Sequence, residues 1–206
     1  MTQQGILIVL SGPSGTGKGT ICQELLRNYP NLHYSISATT RSPRFGETNG
    51  LNYWFISKEE FQSMISDDAL LEWAEVYGNY YGTPYHHVKE LLDSGKDVVL
   101  EIDTQGAMQV KGKFPQGVFI YIVPPSLEEL ADRIHKRGTD SVESIKRRLS
   151  CATAEMNKVY SYNYVVVNDE VPIAVRKIEA IISAEKCSVS RSGNLIQQIC
   201  KSDLKE

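Results

Sequence analysis

Ile6-Leu-Ile-Val-Leu10, followed without a break by Ser11-Gly-Pro-Ser-Gly-Thr-Gly-Lys-Gly-Thr20, decides the fold. Five apolar residues in a row read as a buried strand. Gly12 and the pair Gly17-Lys18 stand at Walker A spacing, with four residues between the two glycines. Gly12, Gly15 and Gly17 let the backbone fold tightly with its N–H groups turned inward. The helix that follows presents its positive end to the same spot, and Lys18 reaches the β- and γ-phosphates as a mobile point charge. A Gly-rich turn without the strand or the lysine would be only a turn. With both, Gly12, Pro13, Ser14, Gly15, Thr16, Gly17, Lys18, Gly19 and Thr20 are expected to cradle a nucleoside triphosphate.

One residue departs from the usual pattern. Gly19 stands where a Ser or Thr hydroxyl commonly ligates Mg²⁺, and Thr20 comes one place late. The metal is then expected to keep more of its water or to lean on an acid elsewhere.

A chain of 206 residues is one domain, or one core with small inserted lobes. Its net charge of −3 argues against general binding to nucleic acid or anionic membranes. The first apolar run is too short for a membrane span and has no basic segment before it, so neither a signal peptide nor an anchor is expected. Cys22, Cys151, Cys187 and Cys200 show no CxxC or metal spacing and read as reduced thiols of a cytoplasmic protein. His86, His87 and His135 form no metal-ligand set.

Further along, Lys18–Asn28 has helical periodicity and Tyr29-Pro30-Asn31 ends it. His33–Thr40 reads as a short strand. Residues 41–85 change character: they hold both tryptophans, many tyrosines and turn-forming glycines, and do not alternate long strand with long helix. A small inserted lobe is expected there, with a helix at Lys58–Asp67. His87–Ser94 reads as a helix stopped by Gly95. Asp97–Asp103 and Val118–Val123 read as buried strands, and Ser126 with Glu129 as a capping box opening a helix to about Lys136. Arg137-Gly138 breaks that helix, and a second follows from about Ser141 to Lys158. Tyr164–Asn168 is the last expected strand and Val171–Lys186 a closing helix. The tail 187–206 carries only a weak helical pattern. Apolar strands alternating with helices imply an α/β fold, a parallel sheet flanked by helices on both faces. Ligands in such sheets bind beyond the carboxyl ends of the strands.

Three groups of residues carry chemistry. Glu101 and Asp103 stand two apart at the end of an apolar strand, so their carboxylates are expected to share a face and to meet cations. Arg41 and Arg44 flank Ser42-Pro43 after a strand that also offers Ser37, and guanidinium forks bind phosphate oxygens in pairs. Lys136-Arg137 and Arg147-Arg148 lie near a helix break, where mobile arginines can close over a transferring phosphoryl group.

Several strings are long and unusual: Ser37-Ala-Thr-Thr-Arg-Ser-Pro-Arg-Phe-Gly-Glu-Thr-Asn-Gly50, Glu72-Trp-Ala-Glu75, Gly78-Asn-Tyr-Tyr-Gly-Thr83, Glu101-Ile-Asp-Thr-Gln-Gly106 and Arg137-Gly-Thr-Asp-Ser141. In this order, and together with the Walker loop, they closely resemble guanylate kinase, over most of the chain up to about Asp169. The resemblance implies a P-loop kinase core (1–36, 87–136 and 158–186), a GMP-binding lobe at about 37–86 and a lid at about 137–157. It implies transfer of phosphate from ATP to GMP with Mg²⁺, the metal being held mainly by phosphates and water, with Thr20 and Glu101 as candidate ligands. Ser37, Arg41, Arg44, Tyr53 and Tyr81 would hold the GMP phosphate. Glu72, Thr83 and Asp103 would read guanine, with Glu101 close by, standing where some members carry Asp. Lys18, Arg41, Arg137 and Arg148 would be the catalytic cations, and Arg133 and Asn168 would lie on the ATP side. Guanine offers N–H donors at N1 and N2 and an acceptor at O6, which suits a carboxylate beside a hydroxyl. The other readings weighed are a phosphotransferase for a different acceptor, which Glu72 with Thr83 disfavours, and a non-enzymatic interaction module, which the complete Walker loop disfavours. A P-loop GTPase or ATPase switch would need a further motif that the sequence does not offer. Oligomeric state is left open.

Overall fold

The computed structural model describes residues 4–76, 78–136 and 155–202. Strand β1 (Leu7–Ser11) is buried along its whole length. The register sets Leu7 opposite Val98 and Ile8 opposite Val118, so β1 has β7 (Asp97–Glu101) on one side and β8 (Val118–Val123) on the other. β2 (Leu32–Tyr34) and β9 (Tyr164–Val167) complete a parallel sheet in the order β2-β7-β1-β8-β9.

Alternate residues of β1 enter different cores, which explains the unbroken apolar run. Ile8 and Leu10 pack with Ile21 and Leu25 of α1 (Lys18–Asn28) and with Ile178 and Ile182 of α6 (Val171–Lys186). Leu7 and Val9 pack with Val88 and Leu92 of α3 (Tyr85–Asp93) and with Ala107 and Val110 of α4 (Thr104–Lys113). The buried Asp97 carboxylate accepts the Ile6 N–H at 2.9 Å and pairs with Lys186 Nζ at 2.7 Å, which joins the end of α6 to the start of the sheet.

A second sheet, order β4-β3-β6-β5, is built from β3 (Ala38–Thr39), β4 (Trp54–Phe55), β5 (Leu70–Val76) and β6 (Asn79–Pro84). Its own small core joins Ala38, Phe61 and Leu70, with Phe61 supplied by α2 (Lys58–Ser66). Ser57 and Glu60 cap α2 reciprocally, at 3.1 and 2.8 Å.

Four expectations need correction. The strand expected at His33–Thr40 is two strands, β2 and β3, which part into different sheets. The strand expected to reach Asp103 ends at Glu101. Asp103 is instead the N-cap of α4, a helix the sequence reading did not include, and its carboxylate accepts Gln105 N at 2.9 Å and Gly106 N at 2.8 Å. Helix α3 begins at Tyr85, earlier than expected. Only half of the Ser126 box forms at α5 (Leu127–Lys136): Glu129 N donates to Ser126 Oγ at 3.1 Å, while the Glu129 carboxylate takes Arg133 Nε at 2.8 Å. The tail forms a helix, α7 (Val189–Ser202). The lid at about 137–157, with Arg137, Arg147 and Arg148, lies almost entirely outside the described residues. Asn157–Ser161 is a 3-10 turn that leads into β9.

Candidate functional site

The loop after β1 turns sharply into α1. Gly17, the N-cap residue, has φ 87°, and a Cβ there would meet Asn168 Nδ2 at 2.4 Å, so only glycine fits. Thr16 Oγ1 donates to Pro13 O at 3.0 Å and closes the loop on itself. Lys18 Nζ donates to Gly12 O at 2.6 Å and Pro13 O at 3.0 Å, which holds the ammonium across the loop. Neutral carbonyls are weaker partners for an ammonium than phosphate oxygens, so an incoming phosphate can take it over.

Asn168 braces the loop from β9. Its Nδ2 donates to Thr16 O at 2.8 Å and its backbone N–H to Val123 O at 2.8 Å. Arg133 NH1 donates to Asn168 O at 2.9 Å. These residues line a cavity with Gly15, Gly17, Thr20, Asp169 and Val171. Among the described residues, buried Asn168 Oδ1 has no hydrogen-bond partner.

A second cavity lies across α1, lined among others by Gly19, Cys22, Glu47, Asn52, Tyr53 and Glu101. A Cβ on Gly19 would stand 3.4 Å from Glu101 Oε1, so the carboxylate fills the space where a hydroxyl-bearing residue 19 would project. Glu101 thus offers a hard oxygen ligand beside the loop, as Mg²⁺ requires, while Thr20 lines the other cavity and does not converge with it. Burial, and secondarily Glu101, push the Cys22 thiol up to about 12, so it is inert as a nucleophile. Glu155 also belongs to this region. Burial raises its pKa, and Lys18, Lys158 and Asp103 all act on it electrostatically.

Arg41, Tyr53 and Tyr81 do come together, and Arg44 joins them through its backbone N–H. The Arg41 guanidinium lies 5.5 Å from the Tyr53 ring centre and 5.7 Å from that of Phe55, and the Tyr53 and Tyr81 rings meet edge to face at 6.0 Å. Ser37 precedes β3 and accepts Trp54 N at 2.9 Å through its carbonyl. A residue not singled out from the sequence organises this group. Glu47 takes Arg41 NH1 and NH2 at 3.0 and 2.9 Å and also accepts Arg44 N at 2.7 Å. One carboxylate therefore fixes the side chain of one arginine and the backbone of the other. Arg41 NH1 donates to Ser42 O as well, at 2.7 Å, and the guanidinium also hydrogen-bonds the Tyr81 side chain.

Glu72 and Thr83, on neighbouring strands, are 8 % and 1 % exposed. Thr83 Oγ1 donates to Glu72 Oε1 at 2.7 Å. Burial pushes the Glu72 carboxyl up to about 7, partly offset by the Thr83 bond and reinforced by the Asp103 carboxylate. A Cβ on Gly106 would lie 2.9 Å from Glu72 Oε2, so the carboxylate sits directly against α4. The result is a buried carboxylate beside a hydroxyl, a group that accepts N–H donors. Among the described residues, no group of three or more His, Cys, Asp or Glu side chains forms a metal site, and no helix is long and apolar enough to cross a membrane.

The guanylate kinase family model matches residues 4–185. A guanylate kinase of Desulfitobacterium hafniense is 60 % identical over 195 residues, covering 95 % of this chain and 98 % of that one. One from Caldanaerobacter subterraneus subsp. tengcongensis is 60 % identical over 197 residues, 96 % of each. The crystal structure of guanylate kinase from Anaplasma phagocytophilum superposes with a TM-score of 0.72 at 34 % identity, covering 92 % of this chain and 90 % of that one.

Proposed function

The chain belongs to the guanylate kinase family and transfers a phosphoryl group from ATP to GMP, giving ADP and GDP; from that premise we propose which residues do the work. Lys18 and the amides of Gly12 to Thr20 hold the ATP phosphates. Arg133 and Asn168 receive the adenine side, at the cavity they line with Gly15, Gly17 and Thr20. Mg²⁺ would be held mainly by the ATP phosphates and water, with Glu101 as the side chain that fits it, and would supply neutralisation of phosphate charge.

On the acceptor side, Arg41, Arg44, Tyr53, Tyr81 and Ser37 hold the GMP phosphate. Glu72 accepts from guanine N1–H and N2–H, with Asp103 close by. The Thr83 hydroxyl, which donates to Glu72 in the free site, is then released to turn toward O6. Adenine would leave Glu72 buried and unpaired, and sites built on such hydrogen bonds discriminate strongly.

No general base is required, because a phosphate monoester has its second pKa near ~6 and GMP arrives largely as a dianion. The difficulty is electrostatic: two anionic phosphates must meet in line and away from water. Lys18 and Arg41, joined on the sequence resemblance by Arg137 and Arg148, supply the positive charge. The enzyme works in the cytoplasm, where both nucleotides are available.

The buried Glu72–Thr83 pair carries this assignment. The test is ADP release from ATP and Mg²⁺ with GMP, AMP, UMP or no acceptor, in the native protein and in Glu72→Gln. ADP formed only with GMP, and lost in the variant, supports it. Equal turnover of AMP and GMP by the native protein overturns the reading of Glu72 and Thr83.

A further inference from the structure

β5 is an edge strand. Among the described residues it pairs with β6 on one side only, and its register shifts between Leu70 and Glu72. As an edge strand, β5 turns the backbone groups of its outer side away from β6, and a displacement of that side would move the Glu72 carboxylate relative to Thr83. Helix α4 lies along the other side of the strand. Gln109 Oε1 accepts Trp73 N at 3.1 Å and Gln109 Nε2 donates to Trp73 O at 3.0 Å. One side-chain amide thus satisfies both backbone groups of the residue next to Glu72, as a neighbouring strand would.

The contact extends along the same helix face, at spacings of three and four residues. One turn before Gln109, the missing side chain of Gly106 admits the Glu72 carboxylate. One turn after it, Lys113 Nζ donates to Leu70 O at 2.7 Å and pairs with Asp68. Helix α4 is anchored in turn by the Asp103 cap directly after β7, so its position is set by the parallel core sheet.

We propose that α4 serves the acceptor sheet as a surrogate strand, and that Gln109 is the positioning residue that holds the outer side of β5 against α4 and aims Glu72 at the base. The proposal rests on Glu72 being the guanine-reading group. Guanine selectivity then depends on a residue that touches no substrate, and the base pocket takes its geometry from the core rather than from the inserted lobe.

The test compares kcat/KM for GMP and for inosine monophosphate, the same nucleotide without the 2-amino donor, in native protein, Gln109→Met and Glu72→Gln. Gln109 is exposed, so methionine preserves length without burying a polar group. Gln109→Met should lower the GMP preference about tenfold, the scale of one misplaced hydrogen bond to a charged group, through KM for GMP, with kcat and KM for ATP unchanged. Gln109→Ser, which also removes both bonds, should give the same ratio. A purely structural role would lower the Tm and leave the ratio intact. An unchanged ratio in both Gln109 variants, with a collapsed one in Glu72→Gln, overturns the positioning role. An unchanged ratio in all three overturns the reading of Glu72 itself.

Discussion

Glu72→Gln keeps the shape of the side chain and an acceptor for the Thr83 hydroxyl, and removes only the ionisable proton. In the free protein, burial first and the Asp103 carboxylate second raise the Glu72 carboxyl from 4.5 to about 7. A folded state that holds a proton more tightly than the unfolded chain loses stability as pH rises from the unfolded pKa through the folded one. The native protein therefore carries a penalty that is absent well below pH 4.5, grows between 4.5 and about 7, and is complete above. That shift corresponds to roughly 3 kcal/mol at pH 8 and under about 1 kcal/mol at pH 5. The glutamine variant escapes it. Urea unfolding of both proteins without nucleotide, at pH 5 and pH 8, reads the difference directly. The variant should be the more stable at pH 8, with an advantage that shrinks by roughly 2–3 kcal/mol at pH 5. A variant no more stable at pH 8, or an advantage that does not change with pH, would refute the account of a carboxylate held ready at the cost of stability.

The same carboxylate links guanine binding to protons: guanosine, which lacks the titrating phosphate, should bind about tenfold more weakly at pH 6 than at pH 8, measured by calorimetry. Glu47→Gln loosens Arg41 and the turn before Arg44 together, and should raise KM for GMP about tenfold while KM for ATP stays constant; steady-state kinetics decide it. Lys18→Met should reduce kcat by about 10²–10³-fold without altering GMP binding, and a loss of GMP affinity would count against its placement on the donor side. Gly106→Ala brings a methyl into contact with the Glu72 carboxylate, so it should raise KM for GMP far more than KM for ATP.

Legibility in the sequence followed the locality of each signal. Helices α1 and α6 lie where the periodicity puts them, because an apolar stripe and a clear start and stop are properties of the segment itself. Helix α4 escaped, since Gly106 and Gly112 dilute its stripe and its cap, Asp103, reads equally well as the last residue of a strand. The division of 33–40 between two sheets depends on partners far along the chain: β2 pairs with β7 and β3 with β6. The site shows the same limit. The Walker loop, the arginines and the Glu72–Thr83 pair were legible as motifs. The roles of Glu47, Gln109 and Gly106 arise from what each meets in space, and no local pattern announces them.

Leu10, at the mouth of the phosphate loop, stands opposite Glu101 in the register of β1 and β7, and Leu10 O accepts the N–H of Ile102 one step further on. The separation between the phosphate loop and Glu101 is thus gauged by a ladder of peptide groups, which no side-chain replacement can lengthen or shorten. A lineage could exchange the acceptor by rewriting the stretch between β2 and α3. The ruler between loop and carboxylate would be inherited unchanged.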